Sequence, residues 1–339
     1  MKIAVDAMGG DNAPIQIVEG CIEAVKNSEG FDLLLVGSED AVNKILSKHK
    51  KSDLSRISVI NATQIIANDD SPVSAIKKKN DSSMVVGMNL LQSEQADAFL
   101  SAGNTGALMA GSLLIVGRIK GVDRPALAPF IPTLNGRALL IDAGANTDCR
   151  PLNYKQFAVM GSIYMSEVFN IKQPKVGLVN VGVEETKGNV IIRQAYKMLT
   201  ETDINFIGNI EGREIMEGVA DIIVCDGFVG NVVLKTMEGT AKSLFTLIKK
   251  ELTKTAMSKV FALPMKKSML RLKRENDYTE YGGAPFIGVD GLVIKCHGTS
   301  NSTAICKAIL QAKAFVESGV LQRIRKDFVD MEVDSIVSE

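Results

Sequence analysis

Short apolar runs alternate along the chain with longer stretches in which apolar residues recur every three or four positions. The short runs do not alternate cleanly with polar residues, which is typical of strands buried on both faces. The longer stretches, including Ile15–Asn27, Phe157–Phe169 and Ser302–Ser318, have the spacing of amphipathic helices. Together the two patterns predict an α/β fold with a largely parallel central sheet. The predicted strands are Ile3–Val5, Leu33–Val36, Ala98–Leu100, Ala138–Ile141, Val176–Val181, Ile222–Cys225 and Leu292–Ile294.

Polar loops that contain glycine follow six of these strands and lead into helical stretches. They are DAMGGDN (6–12), SAGNTGA (101–107), DAGANTDC (142–149), VGVEETKGN (181–189), CDGFVGN (225–231) and CHGTSNS (296–302). Ligands of open α/β sheets bind outside the carboxyl ends of the strands, and helix N-termini there attract anions. Any one loop also has the composition of an ordinary turn with an N-cap. Six such loops favour an oxyanion site, most simply for phosphate, although a mixed sheet would leave some of them purely structural.

Composition narrows the class of protein. The 339 residues suit one large domain or two medium ones, and no linker separates them. Lys+Arg equals Asp+Glu at 39 each, aromatics make up 5% and Trp is absent, which argues against a nucleic-acid partner. The five cysteines are odd in number and far apart, which indicates a reducing cytosol. The chain begins with a predicted strand rather than a signal peptide, and no apolar run is long enough to span a bilayer.

Common catalytic and cofactor signatures are absent from the sequence. There is no P-loop, no GxGxxG fingerprint and no cluster of His and Cys, so nucleotide, dinucleotide and metal sites are not predicted. No GxSxG elbow or activated cysteine indicates a nucleophilic side chain. His49 lies in a charged run and is assigned to the surface, whereas His297 follows a strand beside Gly298. His297 either anchors its loop or takes part in chemistry, and the sequence leaves both interpretations open.

The six loops, in this order and spacing, resemble the phosphate acyltransferases of bacterial phospholipid synthesis, the PlsX family. The likeness extends from Met1 to about residue 328 and includes VDAMGGDNAP, NVGVEETKGN, CDGFVGNVVLK and YGGAPFIGVDGLVIKCHGTSN. Cys296 stands where a small residue such as Ala is expected, and Thr299 where Ser is common. Neither change removes a hydrogen-bonding function that can be named.

The resemblance implies a reaction and its partners. An acyl group would pass from the thioester of acyl carrier protein to inorganic phosphate, and a membrane acyltransferase would pass the resulting acyl phosphate to glycerol 3-phosphate. No metal or cofactor is implied, because phosphate itself is the nucleophile. The protein would be a cytoplasmic homodimer, peripherally associated with the membrane. Two alternatives are a dehydrogenase on the same fold and a non-catalytic adaptor for membrane or carrier protein.

The resemblance also implies a fold. It predicts a three-layer α/β/α architecture with one large mixed sheet, as in isocitrate-dehydrogenase-like and phosphotransacetylase-like proteins. Residues 1–330 would form a single domain of two intertwined lobes, with a basic helical protrusion at about 242–275. Residues 331–339 would form a flexible tail.

Candidate site residues come from the six loops. Lys187 is the strongest candidate, as a cation that offsets the charge of phosphate or of the developing oxyanion, although a solvated lysine is the ordinary alternative. Asn231 is an amide donor or an N-cap, and His297 completes the catalytic set. Asp11 and Asn12 are interpreted as loop-shaping caps, and Asp6, Asp142 and Asp226 as hydrogen-bonding anchors for loop backbone. The predicted phosphate-binding residues are Gly9, Gly10, Gly103, Asn104, Thr105, Gly106, Thr299, Ser300 and Asn301.

The stretch Lys242–Arg274 carries ten basic residues and one acidic residue, Glu251. Its first part, Lys242–Leu252, is predicted to be an amphipathic helix that packs on the core. Its second part, Met257–Arg274, has a short apolar tip inside a basic rim, which suits an anionic membrane, the acidic carrier protein or a dimer partner. The predicted contact residues are Lys259, Val260, Phe261, Leu263, Met265, Lys266, Lys267 and Arg271.

Overall fold

The computed structural model describes residues 1–275 and 282–337, and it contains two mixed β-sheets with helices on both faces. The strands, numbered β1 to β12 in chain order, are Lys2–Asp6, Asp32–Gly37, Ile57–Asn61, Ala98–Ser101, Ala126–Leu127, Phe130–Thr133, Gly136–Ile141, Val176–Asn180, Phe206–Glu211, Ile222–Val224, Ala284–Ile287 and Leu292–Lys295. All seven predicted strands are present.

The first sheet has seven strands in the order β3-β2-β1-β4-β12-β11-β5. Its first five strands are parallel, and β11 runs antiparallel to both of its neighbours. The second sheet has five strands in the order β6-β7-β10-β8-β9, of which only β6 is antiparallel. The α/β class with mixed sheets is confirmed, whereas the expected single large sheet is divided into two.

The chain passes from one sheet to the other in the segment 126–133. Ala126 and Leu127 pair with β11 of the first sheet, and Phe130–Thr133 pairs with β7 of the second. The chain returns to the first sheet at β11, so the first sheet contains strands from both ends of the sequence. At this crossing Pro129 supplies no amide hydrogen for a ladder.

Of the predicted helices, Ile15–Asn27 and Ser302–Ser318 have the expected bounds, whereas the one that ends at Phe169 begins at Pro151 rather than Phe157. The helices are numbered α1 to α13 in chain order. They are Ile15–Asn27, Glu39–Leu46, Pro72–Lys78, Ser83–Gln92, Thr105–Gly111, Pro151–Phe169, Val190–Thr200, Gly212–Glu217, Gly227–Leu252, Ala256–Ala262, Lys266–Glu275, Ser302–Ser318 and Val320–Val337, with a 3-10 turn at Lys51–Leu54 and a π turn at Ser112–Val116. The last helix includes most of the predicted tail, of which residues 338–339 lie outside the described chain. None of the described helices is long and apolar enough to cross a membrane.

Alternating residues of the strands enter different cores, which gives the three layers. In β1, Ile3 and Val5 join a core beneath α1 and α12, while Ala4 faces a core on the opposite side with α4. Strand β10 does the same in the second sheet, where Ile222 joins the first of these cores and Ile223 a third one, beside α8 and α9. One apolar layer therefore extends beneath both sheets and holds the two lobes together.

Candidate active site

A cleft lies between the two sheets, where the carboxyl ends of their central strands face each other. Its cavity volume is about 140 Å³, and a water-sized group needs about 10–15 Å³ by this measure, so a small oxyanion fits. The first sheet contributes Thr105 and Lys295–His297, and the second contributes Ala143 and Asn231. The remaining lining residues are Leu127, Pro129, Phe130, Leu234, Lys235, Glu238, Gly282, Gly283 and Ala284. One part of the wall is therefore charged and another part apolar.

The loops that follow β1 and β12 are tied to each other beside this cleft. The Asp11 N–H donates to the Gly298 carbonyl at 2.8 Å. The Asn12 amide donates to the carbonyls of Thr299 at 3.1 Å and Ser300 at 3.3 Å. Asn12 thus shapes the loops, as predicted, rather than facing a ligand.

Glycines let the loops that follow β1 and β4 approach each other. A β-carbon on Gly9 would lie 2.8 Å from the amide nitrogen of Gly103, too close for any side chain. Gly10 has φ +100°, a conformation that favours glycine, and its position packs against the Gly298 carbonyl. The predicted roles of Gly9 and Gly10 in binding phosphate remain predictions, but loop packing alone accounts for these glycines.

Asp6, the last residue of β1, anchors the same loops. Its carboxylate accepts the Ser101 hydroxyl at 2.6 Å and the Met8 N–H at 3.1 Å, while the Gly103 N–H donates to the Ser101 hydroxyl at 3.0 Å. Burial raises the pKa of Asp6, and these hydrogen bonds oppose the rise. The Gly103 N–H is thus already bonded within the protein.

Asn104 is predicted to bind phosphate, but both the oxygen and the nitrogen of its side-chain amide form hydrogen bonds within the protein. Its oxygen caps α5 by accepting the Ala107 N–H at 2.9 Å. Its amide donates to the carbonyls of Ala67, Asn68 and Asp70 at 3.0–3.3 Å. The side chain is buried and fixes the loop of residues 67–70. The residue that the sequence pattern indicated as a phosphate ligand therefore has a structural role. Thr105 and Gly106 beside it are exposed, and Thr105 lines the cleft.

His297 lies in the cleft wall with its ring orientation fixed by Thr299. The Thr299 N–H donates to His297 Nδ1 at 3.2 Å, and the Thr299 hydroxyl lies 2.8 Å from the same nitrogen. Because Nδ1 accepts, the neutral ring carries its proton on Nε2. Burial lowers the pKa of His297, so the ring is neutral near neutral pH. His297 therefore anchors its loop, and its predicted part in the chemistry remains a prediction.

Ser300 and Asn301 complete this loop as structural residues. The Ser300 N–H donates to the His297 carbonyl at 3.0 Å, and Ser300 is buried. Asn301 is the N-cap of α12, where its side chain accepts the Ala304 N–H at 2.9 Å. Neither residue is among those that line the cleft.

Lys295 is a site residue that the sequence analysis missed. It is the last residue of β12, and its ammonium donates to the carbonyls of Cys296 and, at 3.4 Å, Ala102. Burial lowers the pKa of this lysine, although the nearby carboxylate of Asp6 opposes the shift. Its position at the end of a buried strand, inside the sequence VIKCHG, is the signal that could have identified it.

The loops of the second sheet are anchored by Asp142. Its carboxylate is fully buried and accepts N–H groups from Leu127, Gly144, Ala145 and Asn146 at 2.7–3.2 Å. Burial raises the pKa of Asp142, and the amide donors oppose that rise. A carboxylate bound in this way organises backbone, as predicted for the aspartates at strand ends.

Asn231 points its side chain toward the cleft and is not an N-cap. Asp226 caps α9, since its carboxylate accepts the Val229 N–H at 2.8 Å and the Tyr154 hydroxyl at 3.0 Å. The Asn231 amide makes a single long contact, 3.4 Å, to the Ala143 carbonyl. Asn231 is exposed and lines the cleft, so its amide group is available to a ligand.

One turn and two turns further along α9 lie Lys235 and Glu238, which the sequence analysis also missed. The Lys235 ammonium is 2.9 Å from Glu238 Oε2, and both residues line the cleft. A helix places residues four and seven positions apart on the same face, so Asn231, Lys235 and Glu238 form one stripe. That spacing is present in the sequence NVVLKTME, but only the fold shows that the stripe faces the cleft.

Lys187 lies in the loop between β8 and α7, and it is not among the residues that line the cleft. Its side chain is half-exposed, and its ammonium is 3.9 Å from Glu184. The Asn180 amide donates to the Lys187 carbonyl at 3.2 Å, which fixes the backbone of this loop. The catalytic role predicted for Lys187 remains a prediction.

The basic protrusion consists of the end of α9 together with α10 and α11. Leu244 and Leu247 are exposed, so the prediction that Lys242–Leu252 packs on the core is wrong. This part of the helix presents Leu244 and Leu247 to solvent instead. Leu263 and Met265 at the tip are exposed, as are the rim residues Lys259, Lys266, Lys267 and Arg271. The side chains of Val260 and Phe261 lie outside the described part of the structure.

All five cysteines are unpaired and buried. Burial raises the thiol pKa of Cys296, which lies in the cleft wall, to about 12, and it also raises the thiol pKa of Cys225 well above its ordinary value. A thiol with so high a pKa is not a thiolate nucleophile near neutral pH. Among the described residues, no group of three or more His, Cys, Asp and Glu side chains could hold a metal ion.

Comparison with known sequences identifies the family. A family model described as fatty acid synthesis protein matches residues 1–323. The chain belongs to the fatty acid synthesis protein family. Members similar to it include the phosphate acyltransferase of Acetivibrio thermocellus, 52% identical over 336 residues that cover 99% of each chain. The phosphate acyltransferase of Clostridium acetobutylicum is 45% identical over 331 residues, covering 98% of this chain and 100% of that one. The resemblance seen in the sequence motifs is confirmed.

Solved structures confirm the fold predicted for this family member. A phosphotransacetylase from Streptococcus pyogenes superposes with a TM-score of 0.61 at 16% identity, over 94% of each chain. A branched-chain phosphotransacylase from Enterococcus faecalis gives 0.57 at 12% identity, over 93% of this chain and 99% of that one. At these identities the likeness concerns the fold alone.

Proposed function

We propose that this protein transfers a fatty acyl group from the thioester of acyl carrier protein to inorganic phosphate. The product is an acyl phosphate, which a membrane acyltransferase passes to glycerol 3-phosphate in phospholipid synthesis. The observation that carries the proposal is the cleft, in which cationic and amide side chains face apolar ones. The name of the relatives, phosphate acyltransferase, supports the same reaction.

The cleft suits a reaction in which phosphate itself is the nucleophile. Lys235, Lys295 and Asn231 offer positive charge and amide hydrogens to an oxyanion, while Leu127 and Phe130 offer apolar surface to the acyl thioester. Holding two reactants in contact removes several kcal/mol of the barrier. The buried, high-pKa thiols of Cys225 and Cys296 fit direct attack by phosphate better than an acyl-cysteine intermediate.

A phosphate-dependent thioester cleavage assay tests the proposal. The acyl-carrier thioester should be consumed only when phosphate is present, with one acyl phosphate formed for each thiol released. Cleavage without phosphate, or no cleavage at all, would contradict it. Reduction of a nicotinamide cofactor would instead indicate a dehydrogenase, and carrier binding without turnover would indicate an adaptor.

We also propose that the basic protrusion contacts an anionic membrane surface. Leu263 and Met265 expose apolar surface at the tip, and lysines surround them. Buried apolar area contributes roughly 25 cal/mol per Å², and each lysine near an anionic leaflet adds about 1 kcal/mol. The acidic carrier protein is the alternative occupant, since it complements the same basic rim.

Vesicle co-sedimentation separates the two occupants of the protrusion. Leu263→Asp with Met265→Asp should abolish binding to phosphatidylglycerol vesicles and leave turnover of the soluble carrier thioester unchanged. Lys266→Glu with Lys267→Glu should weaken vesicle binding in a salt-dependent way. If the double aspartate variant sediments as the parent does while its KM for the carrier rises, the protrusion binds carrier protein.

We further propose a homodimer. Exposed valine and isoleucine side chains surround the β9 edge of the second sheet, and they are Val181, Val183, Val190, Ile191 and Ile207. Apolar surface of this kind is typical of an interface. Light scattering should give twice the chain mass, and Val181→Asp with Val190→Asp should reduce it to one chain mass. A monomeric parent protein would contradict the proposal.

A further inference from the structure

Glu238 carries a buried carboxylate oxygen that has no hydrogen-bond partner within residues 1–275 and 282–337. Its side chain is only 19% exposed, and Oε2 is paired with the Lys235 ammonium at 2.9 Å. The other oxygen, Oε1, is inaccessible to solvent and accepts no hydrogen bond from the residues that the structure describes. A buried polar atom of this kind costs free energy unless a ligand supplies the missing donor. Because a carboxylate oxygen only accepts, the ligand must bring a hydrogen.

The surroundings of Glu238 are those of an anion site. The cleft that it lines also contains Lys235, Lys295, His297 and Asn231, all of which offer hydrogens or positive charge. A carboxylate among these groups repels an anion that presents only unprotonated oxygens. The repulsion is replaced by a hydrogen bond when one oxygen of the anion carries a proton. Hydrogen phosphate has such a P–O–H group near neutral pH, whereas sulfate has none.

We propose that Glu238 makes the cleft selective for a protonated oxyanion, hydrogen phosphate, over fully ionised sulfate. The inference rests on the proposed function, because it assigns the cleft to the phosphate substrate. Glu238 Oε1 accepts the hydrogen of the P–O–H group, while the cationic side chains bind the unprotonated oxygens. The Lys235 ammonium pairs with the other oxygen, Oε2, at 2.9 Å and fixes the orientation of the carboxylate. Glu238 is therefore a specificity residue, and no proton transfer is required of it.

The arrangement discriminates between hydrogen phosphate and sulfate, because sulfate would leave Oε1 without a hydrogen-bond donor and close to a negatively charged oxygen. Sites built to bond a hydrogen of the substrate reject analogues without it strongly, by as much as roughly 10⁴-fold when fully enclosed. The cleft is open to solvent on one side, so we expect a preference of about 10- to 100-fold. Arsenate carries the same O–H group as phosphate and should be accepted.

Glu238→Gln tests the proposal, since the amide preserves the size of the side chain and can donate to sulfate. Titration calorimetry with phosphate, arsenate and sulfate should show the parent binding the first two and sulfate at least about tenfold more weakly. In Glu238→Gln, the ratio of the sulfate Kd to the phosphate Kd should fall by about tenfold or more. Glu238→Asp retains a carboxylate and should still prefer phosphate to sulfate.

Glu251→Gln is the matched control, because Glu251 lies on the same helix, outside the cleft, and pairs with exposed Lys254. It should leave all three affinities unchanged. Equal binding of sulfate and phosphate by the parent, or an unchanged ratio in Glu238→Gln, would overturn the proposal. Failure of the parent to form acyl phosphate would contradict the proposed function instead, and the calorimetric ratio would still be measurable.

Discussion

Asn104 and Asn231 occupy similar places in the sequence, each in a glycine-bearing loop that leads into a helix, yet their surroundings are opposite. Asn104 is buried and bonds to four backbone groups of the protein. Asn231 is exposed in the cleft and makes one long contact. The difference arises because Asn104 caps its own helix, whereas Asp226 caps α9 and leaves Asn231 for the cleft.

The same contrast extends to the two sheets. Side chains of the first sheet's loops mostly bond to neighbouring loops, as Asn12 does with Thr299 and Ser300. The second sheet contributes the α9 stripe, whose polar groups face the cleft, and the exposed loop of Lys187. The first sheet thus supplies loops that are bonded to one another, and the second sheet supplies Asn231 and the Lys235–Glu238 pair to the cleft.

Substitution of Asn231 should give the largest effect. We expect Asn231→Ala to lower kcat/KM for acyl transfer by about 100-fold, as loss of an oxyanion donor does, with an unchanged Tm. Initial rates at varied phosphate concentration, together with thermal denaturation, measure both quantities. Val232→Ala, at the exposed neighbouring position, is the control and should behave as the parent. Parental turnover by Asn231→Ala would remove this residue from the mechanism.

Asn104→Ala should instead reduce stability. Loss of the cap costs about 0.5–2 kcal/mol, and the carbonyls left without a donor add about 1 kcal/mol or more. Urea denaturation should therefore give a loss of roughly 2–3 kcal/mol. Asn301→Ala removes an exposed cap and should cost only about 1 kcal/mol. If the two variants lose the same stability, the bonds from Asn104 to the 67–70 loop contribute nothing.

Lys187→Ala should have a smaller effect on catalysis than Asn231→Ala. The ammonium is half-exposed and outside the cleft lining, so solvent and salt screen its field. We expect kcat/KM to fall by about tenfold, and Lys187→Arg to restore most of it. The loss should diminish at high salt. A hundredfold loss that is independent of salt would place Lys187 at the reacting atoms instead.

His297 gives the smallest effect, which appears in the pH dependence of stability. Its pKa in the folded protein is below the ordinary 6.5, so the neutral ring stabilises the fold. This contribution is present above pH 6.5 and is lost as pH falls from there through the folded-state pKa. His297→Asn keeps an acceptor for Thr299 without titrating. Between pH 7.5 and 5.5, the free energy of unfolding of the parent should fall relative to that of His297→Asn by less than about 1 kcal/mol. A change in the opposite direction would mean that the folded protein binds the proton.

The sequence predicted the interior of the sheets and missed their edges. The seven identified strands are all interior ones, and one interior strand, β11, was missed although Pro285, Phe286 and Ile287 are buried. The missed strands include all four edges, β3, β5, β6 and β9. Polar residues interrupt the apolar ones in β3 and β9, and Pro129 interrupts the segment that contains β5 and β6, so none of these strands shows a continuous apolar run.

The candidate site was predictable as a set of loops but not as a set of side chains. Glycine-bearing loops after strands indicated an anion site, and the structure brings several of them to one cleft. Whether a polar side chain faces the ligand or its own backbone depends on which residue caps the helix, as Asn104 and Asn231 demonstrate. Lys295 and Glu238 belong to a strand and a helix, and only the approach of two sheets brings them together.

The crossing at 126–133 also determines the order in which the chain can be assembled during synthesis. Strand β12 lies between β4 and β11, yet it is among the last strands to leave the ribosome. Until then β4 pairs only with β1 and presents an open backbone edge. The second sheet, by contrast, is encoded within one continuous stretch, 130–224, and can close early. The second sheet can therefore form before the first sheet is complete, and the part of the cleft wall that contains Lys295–His297 is in place only after β12 is inserted.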